Sequence, residues 1–216
     1  MMMHDWLLSS VGMDSNTPVI TLEQYVKDNK PKGFILELKK HYGWRKGRLE
    51  LHEIIDDYFL VGVLNSVLVS LYIERNADNF NLLSPELNNI VIVNQDDPVS
   101  NKGRLLVTRL TEYSVYFKEF AKDAPHQGSY ETTMCRERSI SAYFQGLANA
   151  VLLEMYFGTA IRSYDRDFIR HLNIDTGLNH EQLMDLYEKL YDKDSVIRGN
   201  HYFLSCVPIV NKLYRG

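Results

Sequence analysis

Residues 58–73 read Tyr-Phe-Leu-Val-Gly-Val-Leu-Asn-Ser-Val-Leu-Val-Ser-Leu-Tyr-Ile, the most apolar stretch of the chain. A membrane-spanning helix needs about 20 apolar residues. This run is shorter, and Gly62, Asn65, Ser66 and Ser70 interrupt it. Apolar side chains on every face instead mark a helix enclosed by other helices. A single long helix is predicted over Leu49–Glu74, the longest in the chain and the centre of the fold. Glu50, Glu53, Asp56 and Asp57 in its first turns suit the positive end of a helix dipole.

Toward the N-terminus, Thr21 with Gln24 forms a capping-box pattern for a short helix ending near Asn29-Lys30-Pro31. A second short helix is predicted over Lys32–Tyr42, followed by a turn around Trp44 between Gly43 and Gly47. Toward the C-terminus, 76–100 is rich in asparagine and proline and reads as an irregular insertion. Within it Ser84-Pro85-Glu86 looks like a helix start. Ile90-Val91-Ile92-Val93 is the best strand candidate, expected as an extended edge or a small hairpin.

After Gly103 the helical rhythm resumes. Leu106, Leu110, Tyr113, Phe117 and Phe120 form a stripe spaced by threes and fours, broken at 123–128. A helix over Thr133–Thr159 places Ile140, Phe144, Leu147, Val151 and Met155 on one face. A helix over Ala160–Leu172 is expected to follow with little or no break. Asn179 with Gln182 opens an amphipathic helix, and His201–Tyr214 closes the chain with a kink at Pro208. The expected fold is all-α: one domain over 1–216, a bundle of seven or eight helices with a short extended central insertion. Any subdivision falls near 76–102.

Composition agrees. Apolar residues make up 45% of the 216 and charged residues 24%, with 14 Tyr, 9 Phe and 2 Trp. Such a chain has enough to bury without disulfide or metal. Cys135 and Cys206 do not form a Cys-x-x-Cys pair, and they read as buried reduced thiols. Met1–Asn16 lacks the basic start and long apolar core of a secretory leader. A cytoplasmic location away from membranes is expected.

Few residues suggest chemistry. Phosphate-cradling glycine motifs, a Gly-x-Ser-x-Gly elbow, a His-Glu-x-x-His zinc motif and an EF-hand loop are missing from the sequence. His52, Glu53, Asp56 and Asp57 lie at helical spacing, but a metal would need further ligands, for which Asp165, Asp167, His171 and His180 are the candidates. A solvated acidic helix face is the expected reading, so neither metal nor cofactor is predicted. Arg166-Asp167-Phe168-Ile169-Arg170-His171 resembles the Arg-x(4–6)-His motif of the all-α HEPN-family ribonucleases. The resemblance covers these six residues; Arg45 to His52 has a compatible spacing. It implies Arg166 stabilising a scissile phosphate and His171 acting as general acid or base on a ribose hydroxyl.

Charge is uneven. From Lys27 to Arg48, eight basic residues stand against Asp28 and Glu37, a net +6 in a chain whose total is −4. Lys32, Lys39, Lys40, Arg45, Lys46 and Arg48 alternate with aromatics that include Tyr42 and Trp44. Cations for phosphates and rings for stacking are what single-stranded nucleic acid binding requires. The same arm also fits an acidic protein surface, including the Glu50–Asp57 or Glu181–Asp194 face of another copy. Tyrosines on helix faces, among them Tyr143, Tyr156, Tyr164, Tyr187, Tyr191 and Tyr202, exceed core needs and suit contacts with a partner. The favoured expectation is therefore a non-enzymatic assembly factor, adaptor or scaffold of viral or mobile-element type. It acts through helical surfaces on another protein or on further copies of itself. A nucleic-acid-binding accessory and a HEPN-like ribonuclease are the alternatives.

Overall fold

The computed structural model describes residues 2–29, 57–76, 89–94, 98–123 and 130–215. Among them are ten α-helices and one two-stranded sheet. In chain order they are α1 (Met3–Trp6, running into a π-turn at Leu7–Val11), β1 (Val19–Thr21) and α2 (Leu22–Asn29). Next come α3 (Tyr58–Leu64), α4 (Val67–Asn76), β2 (Val91–Val93), α5 (Pro98–Asp123) and α6 (Tyr130–Arg162). The last four are α7 (Phe168–His171), α8 (His180–Tyr191), α9 (Val196–Tyr202) and α10 (Pro208–Arg215). The chain is all-α, as its periodicity predicts.

An antiparallel pair, α5 and α6, forms the backbone of the bundle. Gly103 lies against Met155, Ser114 bonds Ser141, and Phe117 stacks on Phe144 with centroids 5.8 Å apart. The stripe Leu106, Leu110, Tyr113 and Phe117 is buried, as are Ile140, Phe144, Leu147, Val151 and Met155 opposite it. Long-range burial of this kind, rather than helix propensity, stabilises such elements. α5 starts at Pro98, five residues before Gly103, because proline suits the first helical position, where its missing N–H costs nothing.

The apolar stretch at 58–73 is buried against this pair, but it is not one helix. Asn65 and Ser66 separate α3 from α4 with a 45° bend. Ser66 Oγ accepts the Val69 N–H at 3.3 Å, and Asn149 of α6 accepts the Val67 N–H at 3.1 Å. Two polar side chains thus cap α4, and capping competes with helix continuation at such residues. Among the described residues the longest helical run is α6, 33 residues interrupted by a kink at Phe157. Asp57 caps α3 by accepting the Leu60 N–H and also receives the Tyr25 hydroxyl at 2.7 Å. The helices predicted over Lys32–Tyr42 and near Ser84-Pro85-Glu86, and 49–56 of the central one, lie outside the described residues.

The strand at Val91–Val93 forms, but its partner is distant. β2 pairs antiparallel with β1, Val19 opposite Val93 and Thr21 opposite Val91. Tyr156 of α6 donates its hydroxyl to the Val91 carbonyl. Thr21 ends β1 and also begins α2, its Oγ1 accepting the Gln24 N–H at 3.2 Å.

Three further expectations are corrected. Ala160–Leu172 is not one helix: α6 ends at Arg162, Asp165 sits in the left-handed region (φ 55°), and Asp167 caps α7 through the Arg170 N–H. A short polar side chain tolerates that conformation and an N-cap position better than most. His201–Tyr214 is likewise divided: a 3₁₀ turn at Leu204–Cys206 precedes Pro208, which starts α10 instead of kinking it. Cys206 is exposed rather than buried; the Cys135 side chain lies outside the described ones. The Asn179 box forms in both directions, each bond 2.9 Å. Asn179→Ala is therefore expected to cost about 1 kcal/mol of unfolding free energy in urea titrations, without loss of global fold.

Candidate functional site

Two features of the described surface stand out: a ribbon of aromatic rings and guanidinium groups, and a cavity with a buried carboxylate at its base. The ribbon follows from how α8 and α9 present their residues. Leu183 and Leu190 anchor α8 in the core, which leaves Tyr187 and Tyr191 stacked along its flank at 5.3 Å. Arg198 lies over the Tyr191 ring at 4.5 Å and donates to the Tyr191 carbonyl at 2.9 Å. Tyr202 is one helical turn beyond Arg198 on α9 and packs edge-on against Phe203, centroids 5.0 Å apart. Arg166 closes the series over Phe203 at 5.6 Å and bonds Asn200 at 3.3 Å. Tyr202 is 76% exposed, Val196 57%, Phe203 47% and Tyr191 44%. On the neighbouring side of α8, Glu181, Asp185, Glu188 and Asp192 are exposed at spacings of four, three and four.

A cavity of about 1030 Å³ lies between residues 12–17, the first turn of α5, the end of α6 and α7. Its floor depends on Glu154, whose side chain is fully buried. One carboxylate oxygen accepts the N–H groups of Phe168 (2.7 Å) and Ile169 (3.0 Å), two of the orphan donors at the start of α7. The other faces Arg162 at 3.3 Å. Arg162 reaches back over Gly158, where an added Cβ would stand 2.6 Å from its guanidinium. Glycine at 158 thus permits the pair, beside a non-helical residue at Phe157 (φ −127°, ψ 33°). Burial holds the Glu154 carboxyl above the ordinary range, against the opposing pull of the two N–H groups and Arg162.

Glu137 is a second buried carboxyl raised by burial, with His180 and Arg136 drawing it back. Its Oε2 has no hydrogen-bond partner among the described residues. His180 itself stacks on Phe120 at 4.3 Å and meets the Tyr116 hydroxyl at 3.1 Å.

Arg166 and His171 flank α7 at its two ends. The arginine sits before α7 against Asn200 and Phe203, whereas His171 ends α7 and lines a shallow groove with Glu188, Asp192 and Ser195. Lys32, Lys39, Lys40, Tyr42, Trp44, Arg45, Lys46 and Arg48 all lie outside the described residues, as do His52, Glu53 and Asp56. Among the described residues no three His, Cys, Asp or Glu side chains converge as a metal would require. No single helix there is long and apolar enough to cross a membrane. Sequence reasoning missed Glu154, although a signal exists: it is the only charge between Arg138 and Arg162.

Fold and surface together define an all-α protein with an exposed aromatic–guanidinium ribbon. No protein-family model, curated protein or solved structure matches the chain.

Proposed function

We propose that this protein is an assembly factor or adaptor that binds another protein through the ribbon running from Tyr187 to Arg166. The observation that carries the reading is the exposed Tyr202–Phe203 pair set between two arginines. Tyrosine and arginine dominate binding hot spots, because each offers a large, semi-rigid apolar body with polar groups at its end. Solvated surface gains nothing from two large rings held exposed, whereas a partner that covers them removes both from water. The acidic row on α8 fits a basic rim on that partner, through charge complementarity that guides approach more than it adds affinity.

The test compares wild type with Tyr202→Ala/Phe203→Ala in affinity capture from the native host, with and without nuclease. Two hot-spot side chains at about 2 kcal/mol each predict a loss of partner affinity on the order of several hundredfold. The circular dichroism spectrum should be unchanged, since both rings are exposed. Undiminished capture by the double variant would remove the ribbon from the interface. Partners that disappear only after nuclease treatment would shift the function to nucleic acid and the 27–48 segment.

A further inference from the structure

We propose that the cavity above Glu154 binds an organic anion, a carboxylate or phosphate group carried on an apolar body. The site is separate from the ribbon and does not depend on the partner-binding reading.

The charges lining the cavity are used unequally. Among the described residues its three carboxylates are all turned toward backbone N–H groups: Asp14 accepts from Asn16 at 2.9 Å, Asp167 from Arg170 at 2.8 Å, and Glu154 from Phe168 and Ile169. Its three cations are not matched in the same way. Among the described residues Lys102 meets neutral oxygens, the Arg170 carbonyl at 3.4 Å and the Asn173 side chain at 3.3 Å. No carboxylate pairs with the Arg170 side chain among the described residues. Arg162 directs one N–H at Glu154 and is otherwise 44% exposed, so most of its five donors remain for a ligand. An anion entering here meets three cations, and among the described residues it displaces no carboxylate pair from Lys102 or Arg170.

The remaining wall is apolar. Met155 and Ile169 pack together over Gly103 at the back of the cavity, and Ile209 of α10 lines it as well. Concave sites that combine an apolar wall with a few convergent polar groups are the ordinary form of small-molecule pockets, and this volume accommodates a ligand of drug-like size. An ion lacking an apolar part leaves that wall wet, whereas a neutral apolar ligand leaves Lys102 and Arg170 unused. Only a ligand with both parts satisfies the whole lining.

Isothermal titration of the full chain with decanoate and decyl phosphate, each below its micelle concentration, and with decanol below its solubility limit tests the assignment. At least one anion should bind with one-to-one stoichiometry, at least tenfold more tightly than decanol, and the tighter anion identifies the headgroup. Lys102→Ala/Arg170→Ala should weaken that binding at least tenfold with an unchanged dichroism spectrum. If that variant is unfolded, Lys102→Met/Arg170→Gln retains side-chain bulk and carries the same expectation. No binding by either anion, equal binding of decanol, or an undiminished affinity in the folded double variant would each overturn the proposal.

Discussion

Glu154→Ala is expected to lower the unfolding free energy by about 3 kcal/mol, a shift readable from the midpoint of a urea titration. The side chain is fully buried and accepts the Phe168 and Ile169 N–H groups, while also facing Arg162. Alanine removes the acceptor from all three at once. Buried donors left without partners each cost about 1–3 kcal/mol, far more than the net worth of a satisfied bond. α7 loses the group that meets its first two donors, leaving only the Asp167 cap. Glu154→Gln separates shape from charge, since its carbonyl oxygen can still accept both N–H groups.

The pH dependence has a defined sign. The folded carboxyl titrates above its unfolded value of about 4.3. As pH rises from there, the unfolded chain releases its proton first, so stability falls until the folded group has also ionised. Glu154 thus contributes most below the unfolded value and least above the folded one. The stability difference between Glu154→Gln and wild type should drift in favour of glutamine across that window. A flat difference would mean that the N–H groups and Arg162 offset the burial completely.

Gly62→Val is the second large effect, expected to cost about 3 kcal/mol through overpacking. α3 crosses α5 so closely that a Cβ at position 62 would stand 2.6 Å from Thr111 Oγ1 and 2.8 Å from Val107 Cγ1. Both neighbours belong to a helix buried on the opposite side as well, so neither can retreat freely. Thr111→Ala frees part of that space. The double variant should therefore recover at least 1 kcal/mol relative to the sum of the single changes, a coupling that a thermodynamic cycle reads directly. Simple additivity would show that the backbone moves instead of the side chains.

How far the fold was legible depended on whether the deciding partner was local. The α5 and α6 stripes could be read because an apolar face repeats with the helix itself. The Asn179 box was readable for the same reason: both of its bonds lie within four residues. The equivalent pattern at Thr21 formed only halfway, because the Gln24 amide turns to Asp28 at 2.8 Å. The break at Asn65–Ser66 depends on Asn149, more than eighty residues away along the chain, and periodicity carries no trace of such a partner. Glu154 could be picked out as a solitary charge, but not its role, since the N–H groups it serves belong to a helix formed only after the turn at Asp165. Tyrosine abundance is a partial guide to the surface: Tyr164, Tyr191 and Tyr202 are exposed, but Tyr143 and Tyr156 are buried in the core, contrary to expectation. The alternation with Arg198 and Arg166 arises only when α8, α9 and the loop before α7 come together.

The ladder between residues 19–21 and 91–93 has a bearing on evolution. Three residue pairs make a fragile junction by themselves, yet closing it across a long intervening chain costs entropy that grows only logarithmically with length. Each doubling adds about 0.6 kcal/mol. Segments between the strands that make no core contact can therefore gain or lose residues between related proteins at little thermodynamic expense. By contrast, a single inserted residue within α5 or α6 would rotate every later side chain out of register with its partner. Lineages of this chain should hold their length along α5 and α6 and along α2, α3 and α4, which are buried between the strands.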